Sequence, residues 1–217
     1  MASSELRLSL NSGVDIPTKS DLRARLSAAR KTVSAEVRAR EANALVETLL
    51  AASSQLFQPG DTVCAYVPVG SEPGSLAMLD ALLAAGARVL LPVAITDSAA
   101  SAGTLPGTPL PLQWADYEPG DLAAAGFGLL EPRGPRLPAE TIAAATLLLV
   151  PALAVDQRGV RLGRGAGFYD RSLPLRDVNA RVVAIVRDEE LVDELPADVH
   201  DVAMTHALTP GRGLVAF

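Results

Sequence analysis

Residues 63–93 read VCAYVPVGSEPGSLAMLDALLAAGARVLLPV and contain two apolar runs on either side of a helical pattern. Val63 to Val67 and Arg88 to Val93 are short and apolar, which is typical of buried strands. Between them, Ser75 to Ala85 is an apolar helical segment that Gly86 ends. A strand, a helix and a second strand in this order predict a β-α-β unit with parallel strands.

The same alternation continues on both sides of this unit. Residues 22–37 and 45–50 carry apolar side chains at helical spacing, and Ser20 is the candidate N-cap of the first helix. Residues 147–150 and 182–186 are further strand-like runs with helical patterns between them. The sequence therefore predicts an α/β fold, Rossmann-like, with a largely parallel central sheet flanked by helices.

Length and composition predict one acidic globular domain. The chain has 217 residues, of which 49% are hydrophobic, and 19 Lys and Arg stand against 25 Asp and Glu. That length suits a single domain, which we place at residues 18–217 after a flexible N-terminal extension, residues 1–17. The net charge of −6 argues against broad nucleic-acid binding, because a basic face is needed to neutralise phosphates. Small anionic ligands remain compatible with it, and we expect a monomer.

Location is predicted from three features. The N-terminus lacks the basic opening and apolar stretch of a secretory signal. The most apolar segment, residues 142–155, contains Pro151 and is shorter than the ~20 residues that cross a bilayer. Cys64 is the one cysteine, so no internal disulfide can form, and its apolar surroundings favour a small buried hydrophobe over a nucleophile. We expect a cytoplasmic protein without membrane contact.

Residues 94–121 are rich in Gly, Pro, Ser and Thr, and a loop of this length is more often functional than idle. Trp114 and Tyr117 lie in it. They either cap the core or line the pocket of a flat aromatic ligand.

The glycine-rich segment RLGRGAGFYDR, residues 161–171, is the clearest functional signal. Glycines alternate at positions 163, 165 and 167, so successive backbone N–H groups can converge on phosphate oxygens, and three arginines lie beside them. A plain tight turn is the alternative. Neither lysine follows a glycine, which excludes a P-loop, and a turn at residues 156–159 separates the segment from the preceding strand, which disfavours a dinucleotide fingerprint.

The sequence LLLVPALAVDQRGVRLGRGAGFYDRSL, residues 147–173, resembles the signature of the 5-formyltetrahydrofolate cyclo-ligase family, also called methenyltetrahydrofolate synthetase. Further landmarks of that family follow the same order at residues 19–23, 66–72, 127–132 and 200–201. The resemblance thus covers nearly everything after residue 18. The chain departs from the family pattern at Ala152, Val155, Ala166 and Phe168.

The resemblance implies an ATP- and Mg²⁺-dependent ligase of one-carbon metabolism. Its reaction converts 5-formyltetrahydrofolate to 5,10-methenyltetrahydrofolate and releases ADP and phosphate, through a phosphorylated formyl group. Phosphoryl transfer calls for backbone donors, cations and a metal rather than a nucleophilic side chain. Two alternatives stay open: a non-catalytic nucleotide- or folate-binding relative, and a sugar-phosphate isomerase or acyl-transfer enzyme on a similar scaffold.

The resemblance also implies site residues. Arg164 and Asp170 would be catalytic, and Asp170 and Asp201 would bind Mg²⁺, although Asp170 alone could be a helix cap. ATP would contact Lys19, Arg23, Arg161, Leu162, Gly163, Arg164, Gly165, Ala166, Gly167, Phe168 and Tyr169. Folate would contact Val67, Glu72, Phe127, Arg164, Gly165, Ala166, Gly167 and Phe168. Without the resemblance, Lys19 and Arg23 would be read as a solvated helix face and Phe127 as core. His200 and His206 are expected to be structural.

Overall fold

We analysed a computed structural model, which describes residues 17–97, 107–198 and 201–217. The predicted extension, residues 1–17, lies outside these ranges except for its last residue, and so does His200. The described elements form one large sheet with helices packed on it and two small accessory sheets.

The central sheet has seven strands in the order β12-β11-β9-β6-β1-β2-β3. Its inner pairs are parallel, and the strands at both edges, β3 and β12, pair antiparallel with their neighbours. The predicted α/β fold with a largely parallel sheet is therefore confirmed. The seven strands are β1 (Thr62–Cys64), β2 (Arg88–Val93), β3 (Gln113–Asp116), β6 (Ala145–Pro151), β9 (Arg181–Ile185), β11 (His206–Thr209) and β12 (Gly213–Ala216).

Two small sheets, five α-helices and four short 3-10 helices complete the described fold. The three-stranded sheet has the order β10-β7-β8, and β4 pairs with β5. Their strands are β4 (Leu122–Ala124), β5 (Leu130–Pro132), β7 (Ala154–Asp156), β8 (Arg161–Leu162) and β10 (Leu191–Val192). The helices are α1 (Lys19–Thr32), α2 (Ala35–Ala51), α3 (Ser53–Leu56), α4 (Leu76–Ala84) and α5 (Phe168–Ser172).

Helix α1 begins two residues earlier than the sequence predicted. Its N-cap is Thr18, whose hydroxyl accepts from the N–H of Asp21 while the Asp21 carboxylate accepts from the N–H of Thr18. This reciprocal capping box satisfies two terminal groups at once, which Ser20 could not do from inside the first turn. The prediction of Ser20 as N-cap is wrong. Ser34 caps α2, so the apolar pattern over residues 22–37 spans two helices.

The β-α-β unit at residues 63–93 is confirmed, with shorter limits. Ser75 is the N-cap of α4, and Gly86 follows its end with φ +86°. Strand β1 ends at Cys64 rather than Val67, although the N–H of Ala65 still donates to Leu90. Beyond Ala65 the chain leaves the sheet and turns towards Glu72. Pro68 on this path has no N–H with which to rejoin a central ladder.

The prediction of a continuous loop over residues 94–121 is wrong, because β3 lies within it and pairs with β2. Residues 98–106 of this segment lie outside the described part of the chain. Trp114 and Tyr117 are buried, as the core interpretation requires, and belong to opposite faces of the sheet.

Most of the core consists of two apolar layers, one on each face of the central sheet, and a smaller cluster packs around β7 and β8. Alternation along β1 directs Val63 into the layer beneath α2 and α4 and Cys64 into the opposite layer. Burial of the Cys64 thiol raises its pKa well above the ordinary value. A buried thiol with a raised pKa is a poor nucleophile, which agrees with the predicted role of Cys64 as a small hydrophobe.

A hairpin of β7 and β8 carries the glycine-rich segment, and Asp156 holds its turn together. The fully buried Asp156 carboxylate accepts from the backbone N–H groups of Arg158, Val160 and Leu195. Gly159 has φ +78°, and a Cβ there would lie 2.3 Å from the carbonyl oxygen of Met204. The predicted turn at residues 156–159 is thus confirmed, and it orients the start of the site.

Candidate active site

The glycine-rich segment runs from the end of β8 into α5 and forms one wall of a cavity of about 380 Å³. Gly165 and Gly167 have φ of +92° and +84°, a conformation that disfavours other residues. Among the described residues, the N–H groups of Gly165, Ala166 and Gly167 have no protein acceptor. Free amides on a concave backbone are the donors with which proteins bind phosphate oxygens.

Two cations of α1 contact predicted site residues. Lys19 and Arg23 lie four residues apart and so project from one helix face. Arg23 donates from Nε to the carbonyl of Gly163 at 2.9 Å. Lys19 Nζ lies 2.6 Å from Asp198 Oδ2 and 2.8 Å from Asp201 Oδ2. The alternative of a merely solvated helix face is therefore wrong, since both side chains are held against the site.

Arg161 lies beneath the cavity and holds Asp170. Its Nη2 donates to Asp170 Oδ1 at 2.6 Å, and its guanidinium carbon lies 5.5 Å from the centre of the Tyr169 ring. Burial lowers the pKa of Arg161, although the Asp170 carboxylate opposes that shift. Gly167 is the N-cap of α5 and Asp170 is its third residue, so the Asp170 side chain is not a helix cap.

Glu72 faces the glycine-rich segment from the opposite wall. Its Oε2 accepts from the N–H of Val69 at 2.9 Å, and its Oε1 lies 3.3 Å from Arg164 Nη1. The Glu72 side chain is 9% exposed, whereas that of Arg164 is 61% exposed. Glu72 is thus a fixed carboxylate, while Arg164 extends into the open side of the cavity. Val67 lies on the same wall.

The structure brings together most of the predicted site. The predicted site residues that line the cavity are Val67, Glu72, Arg161, Gly163, Arg164, Gly165, Ala166, Gly167, Phe168, Tyr169 and Asp170. Arg23 contacts the segment at Gly163, Lys19 contacts Asp201, and Leu162 is buried within the segment. Phe127 lies in a short 3-10 helix, Gly126–Gly128, but its side chain is outside the described part of the structure. Its folate contact stays a prediction.

The carboxylates near the segment can be compared with the ligands of Mg²⁺. Hydrogen bonds from Asp198 N–H and Lys19 outweigh burial and hold the pKa of Asp201 below its ordinary value. The charge of Arg161 also acts on Asp201, so Arg161 lies within electrostatic reach of both predicted Mg²⁺ ligands, Asp170 and Asp201. In the described ranges no three His, Cys, Asp or Glu residues form a metal-binding group. Mg²⁺ is commonly held by only one or two carboxylates, with phosphates and water, so this donor set fits it.

Sequence reasoning missed several residues that shape the site. Arg30, seven residues after Arg23 on α1, is buried and pairs with Glu190 through two hydrogen bonds of 2.6 and 2.7 Å. Its Nη2 also donates to the carbonyl of Ala152, at the end of β6. The helical spacing of Arg23 and Arg30 was a usable signal. Nothing local indicated Glu190, because it lies 160 residues away in the chain.

His206 has a structural environment, as expected. Its Nδ1 lies 2.8 Å from the Thr205 hydroxyl, and burial lowers its pKa. It does not line the cavity.

Comparison with known proteins identifies the family. The family model described as 5-formyltetrahydrofolate cyclo-ligase matches residues 15–210. The chain belongs to the 5-formyltetrahydrofolate cyclo-ligase family. A 5-formyltetrahydrofolate cyclo-ligase of Mycolicibacterium smegmatis is 60% identical over 199 residues, which cover 92% of this chain and 97% of that protein. One from Escherichia coli K12 is 28% identical over 153 residues, or 70% of this chain and 79% of that protein.

Solved structures agree with this assignment. The 5,10-methenyltetrahydrofolate synthetase of Aquifex aeolicus superposes with a TM-score of 0.69 at 25% identity, covering 91% of this chain and 92% of that one. The 5,10-methenyltetrahydrofolate synthetase of Mycoplasma pneumoniae superposes with a TM-score of 0.63 at 19% identity, covering 86% of this chain and 94% of that one. At this identity the similarity supports the fold alone. The resemblance seen in the sequence is confirmed, and the chain is an enzyme of the ligase class with a folate-related function. No helix in the described ranges is long and apolar enough to cross a membrane.

Proposed function

We propose that this cyclo-ligase converts 5-formyltetrahydrofolate to 5,10-methenyltetrahydrofolate with hydrolysis of ATP to ADP and phosphate. The observation that carries the proposal is one cavity with two chemically different walls. The fixed Glu72 carboxylate lies on one wall, and free glycine amides with Arg161 and Arg164 lie on the other. A pterin offers amino and ring N–H groups to a carboxylate, while a triphosphate needs amides and guanidinium groups.

The chemistry proceeds in two displacements. The formyl oxygen attacks the γ-phosphorus of ATP, and the bond from that phosphorus to the bridging oxygen breaks to release ADP. N10 of the folate then attacks the formyl carbon, the carbon–oxygen bond breaks with loss of phosphate, and the N10 proton passes to water. Phosphorylation turns a poor leaving oxygen into a good one. The enzyme must mainly position the reactants and stabilise charge.

The residues divide this work by position. Glu72 would orient the pterin, with Val67 as an apolar wall beside it. The amides of residues 163–167, with Lys19, Arg23 and Arg161, would hold the phosphates. Arg164 is 61% exposed and extends from the glycine-rich wall to Glu72, so it can follow the phosphoryl group as it moves to the formyl oxygen. Phe127 would lie against the folate.

Asp170 and Asp201 would hold Mg²⁺, which when bound neutralises phosphate charge as it shifts to the leaving oxygen. Each carboxylate already pairs with a cation, Asp170 with Arg161 and Asp201 with Lys19, and this pairing holds it in place. When ATP binds, the two cations can contact the triphosphate while the two carboxylates bind Mg²⁺. The ion pairs would then separate.

The remaining predictions belong to the same proposal. We propose that residues 18–217 act as one domain, that the protein works as a cytoplasmic monomer, and that it binds small molecules rather than nucleic acid or membrane. The family assignment argues against the sugar-phosphate isomerase alternative. A relative that binds nucleotide and folate without turnover is the second candidate, and the intact set of Lys19, Arg23, Glu72 and Asp170 favours catalysis over it.

Alanine substitution tests the roles of Arg164 and Asp170. Arg164→Ala and Asp170→Ala should each remove most of the ATP-dependent formation of methenyltetrahydrofolate. Arg164→Ala should leave the melting temperature nearly unchanged, because its side chain is 61% exposed. Asp170→Ala should lower the melting temperature, because the Arg161 side chain, which is 7% exposed, loses its carboxylate partner. Arg133→Ala is the matched control, since Arg133 is 64% exposed and lies outside the cavity. Wild-type turnover in either site variant would refute the role given to that residue.

A further inference from the structure

A second cavity of about 390 Å³ adjoins the first. Helix α2 and the turn at residues 68–76 form most of its wall, and Arg187 completes it. The two cavities share Val67, Glu72 and Leu130. The two cavities therefore lie side by side, with these three residues at their boundary.

Arg187 is the unusual member of this wall, because it is 1% exposed and incompletely paired. Its Nη2 lies 3.0 Å from Glu41 Oε2. Its Nε and Nη1 are buried without a hydrogen-bond partner among the described residues. Buried donors are nearly always satisfied, since an unmet one costs free energy. A guanidinium with spare donors on a cavity wall is therefore suited to receive a ligand.

The rest of the cavity is compatible with an aromatic ligand that ends in an anion. Leu76 and Leu130 are 41% exposed, although large apolar side chains are usually covered. Arg38 supplies a second cation to the wall, and its Nη1 donates to the carbonyl of Val33. Glu41 is the one acidic residue here besides Glu72, and its contact with Arg187 Nη2 leaves the other two guanidinium nitrogens for a ligand.

We propose that the second cavity binds the tail of the folate substrate, with Leu76 and Leu130 against its aromatic ring and Arg187 and Arg38 on its glutamate carboxylates. This rests on the proposed function, since it requires that the pterin occupy the first cavity beside Glu72. Folate carries a p-aminobenzoyl ring followed by carboxylates, and that order matches an apolar wall followed by buried guanidinium. Arg187 is then a specificity-determining residue for the tail.

Two substrates separate tail binding from catalysis. The first is 5-formyltetrahydrofolate, and the second is the same molecule with a primary amide in place of glutamate, which keeps N10 and the ring but has no carboxylate. A hydrogen bond to a charged group is worth about tenfold to a hundredfold in affinity. In the wild type, we expect a KM at least tenfold lower for the glutamate form, with the same KM for ATP. Equal KM values would overturn the proposal without any variant.

Substitutions then assign the effect to Arg187. Arg187→Met should raise the KM for the glutamate form at least tenfold and leave the KM for the amide form and kcat nearly unchanged, and Arg38→Met should act in the same direction. Arg40→Met, on an exposed part of α2, is the matched control. Equal increases in KM for both substrates, or no increase for either, would overturn the assignment of tail binding to Arg187. If Arg187→Met does not fold, the KM values of Arg38→Met for the two substrates test the proposal instead. Absence of turnover by the wild type with either substrate would instead refute the proposed function.

Discussion

Removal of the Glu190 carboxylate tests how α1 is held against the site. Arg30 and Glu190 have side chains that are 3% and 4% exposed, and Glu190 also accepts from the backbone N–H of Arg187. Glu190→Ala leaves the Arg30 guanidinium buried with one remaining partner, the carbonyl of Ala152. Breaking a buried pair in this way costs about 3–5 kcal/mol, because a charge stays behind without compensation.

An exposed pair of the same geometry provides the control. Arg88 and Asp116 are joined by bonds of 2.6 and 2.9 Å, close to the distances of the buried pair, but their side chains are 47% and 49% exposed. Exposed pairs contribute about 0–1 kcal/mol. Asp116→Ala should therefore cost several-fold less than Glu190→Ala.

Thermal unfolding measures both variants. In a chain of this size, 1 kcal/mol shifts the melting temperature by about 2–4 °C, so we expect a decrease of about 6–20 °C for Glu190→Ala and about 0–4 °C for Asp116→Ala. The double variant Arg30→Met with Glu190→Met should recover part of the loss, because no unpaired charge remains. Equal shifts for the two single variants would refute the reasoning that burial makes the Arg30–Glu190 pair structurally important.

Three further predictions concern the turn and the ATP contacts. Gly159→Ala should lower the free energy of unfolding, measured by chemical denaturation, more than Gly120→Ala does. Both glycines have φ near +80°, but only at Gly159 would the new Cβ meet Met204. Equal losses of stability would contradict this. Burial raises the pKa of Asp156, but hydrogen bonds to its carboxylate outweigh this and lower it. The stability that the Asp156 carboxylate gives is present above about pH 4 and is lost on further acidification. The difference in free energy of unfolding between the wild type and Asp156→Asn should therefore narrow below that pH. A difference that does not change with pH would contradict this prediction. Lys19→Met should raise the KM for ATP about tenfold and leave that for folate unchanged, and equal increases would argue for a structural role alone.

Much of the fold followed from local patterns. Apolar runs with turn residues between them predicted the β-α-β unit of residues 63–93, and Gly86 marked the end of α4. The wrong predictions concern features that were determined by competing local signals or by pairing with a distant part of the chain. Thr18 prevailed over Ser20 because Asp21 completes a capping box with it. Strand β3 was missed because its four residues pair with β2 across a segment dominated by turn residues.

The site was predictable where one segment carries the chemistry. The alternating glycines and arginines of residues 161–171 indicated a phosphate-binding loop before any comparison. The contacts that position this loop join distant parts of the chain, such as Arg23 with Gly163 and Arg30 with Glu190. No local pattern specifies such pairs, because they depend on how the sheet brings α1 across the ends of β6 and β8.

The most direct test of the account is a single absorbance measurement. The protein is mixed with 5-formyltetrahydrofolate and Mg²⁺, and the near-ultraviolet absorbance of methenyltetrahydrofolate is followed with and without ATP. We expect product to accumulate only with ATP, one ADP being released for each molecule formed. Accumulation at the same rate without ATP, or ATP hydrolysis without methenyltetrahydrofolate, would contradict the claim that the glycine-rich segment and Glu72 bring a triphosphate and a folate together in one cavity.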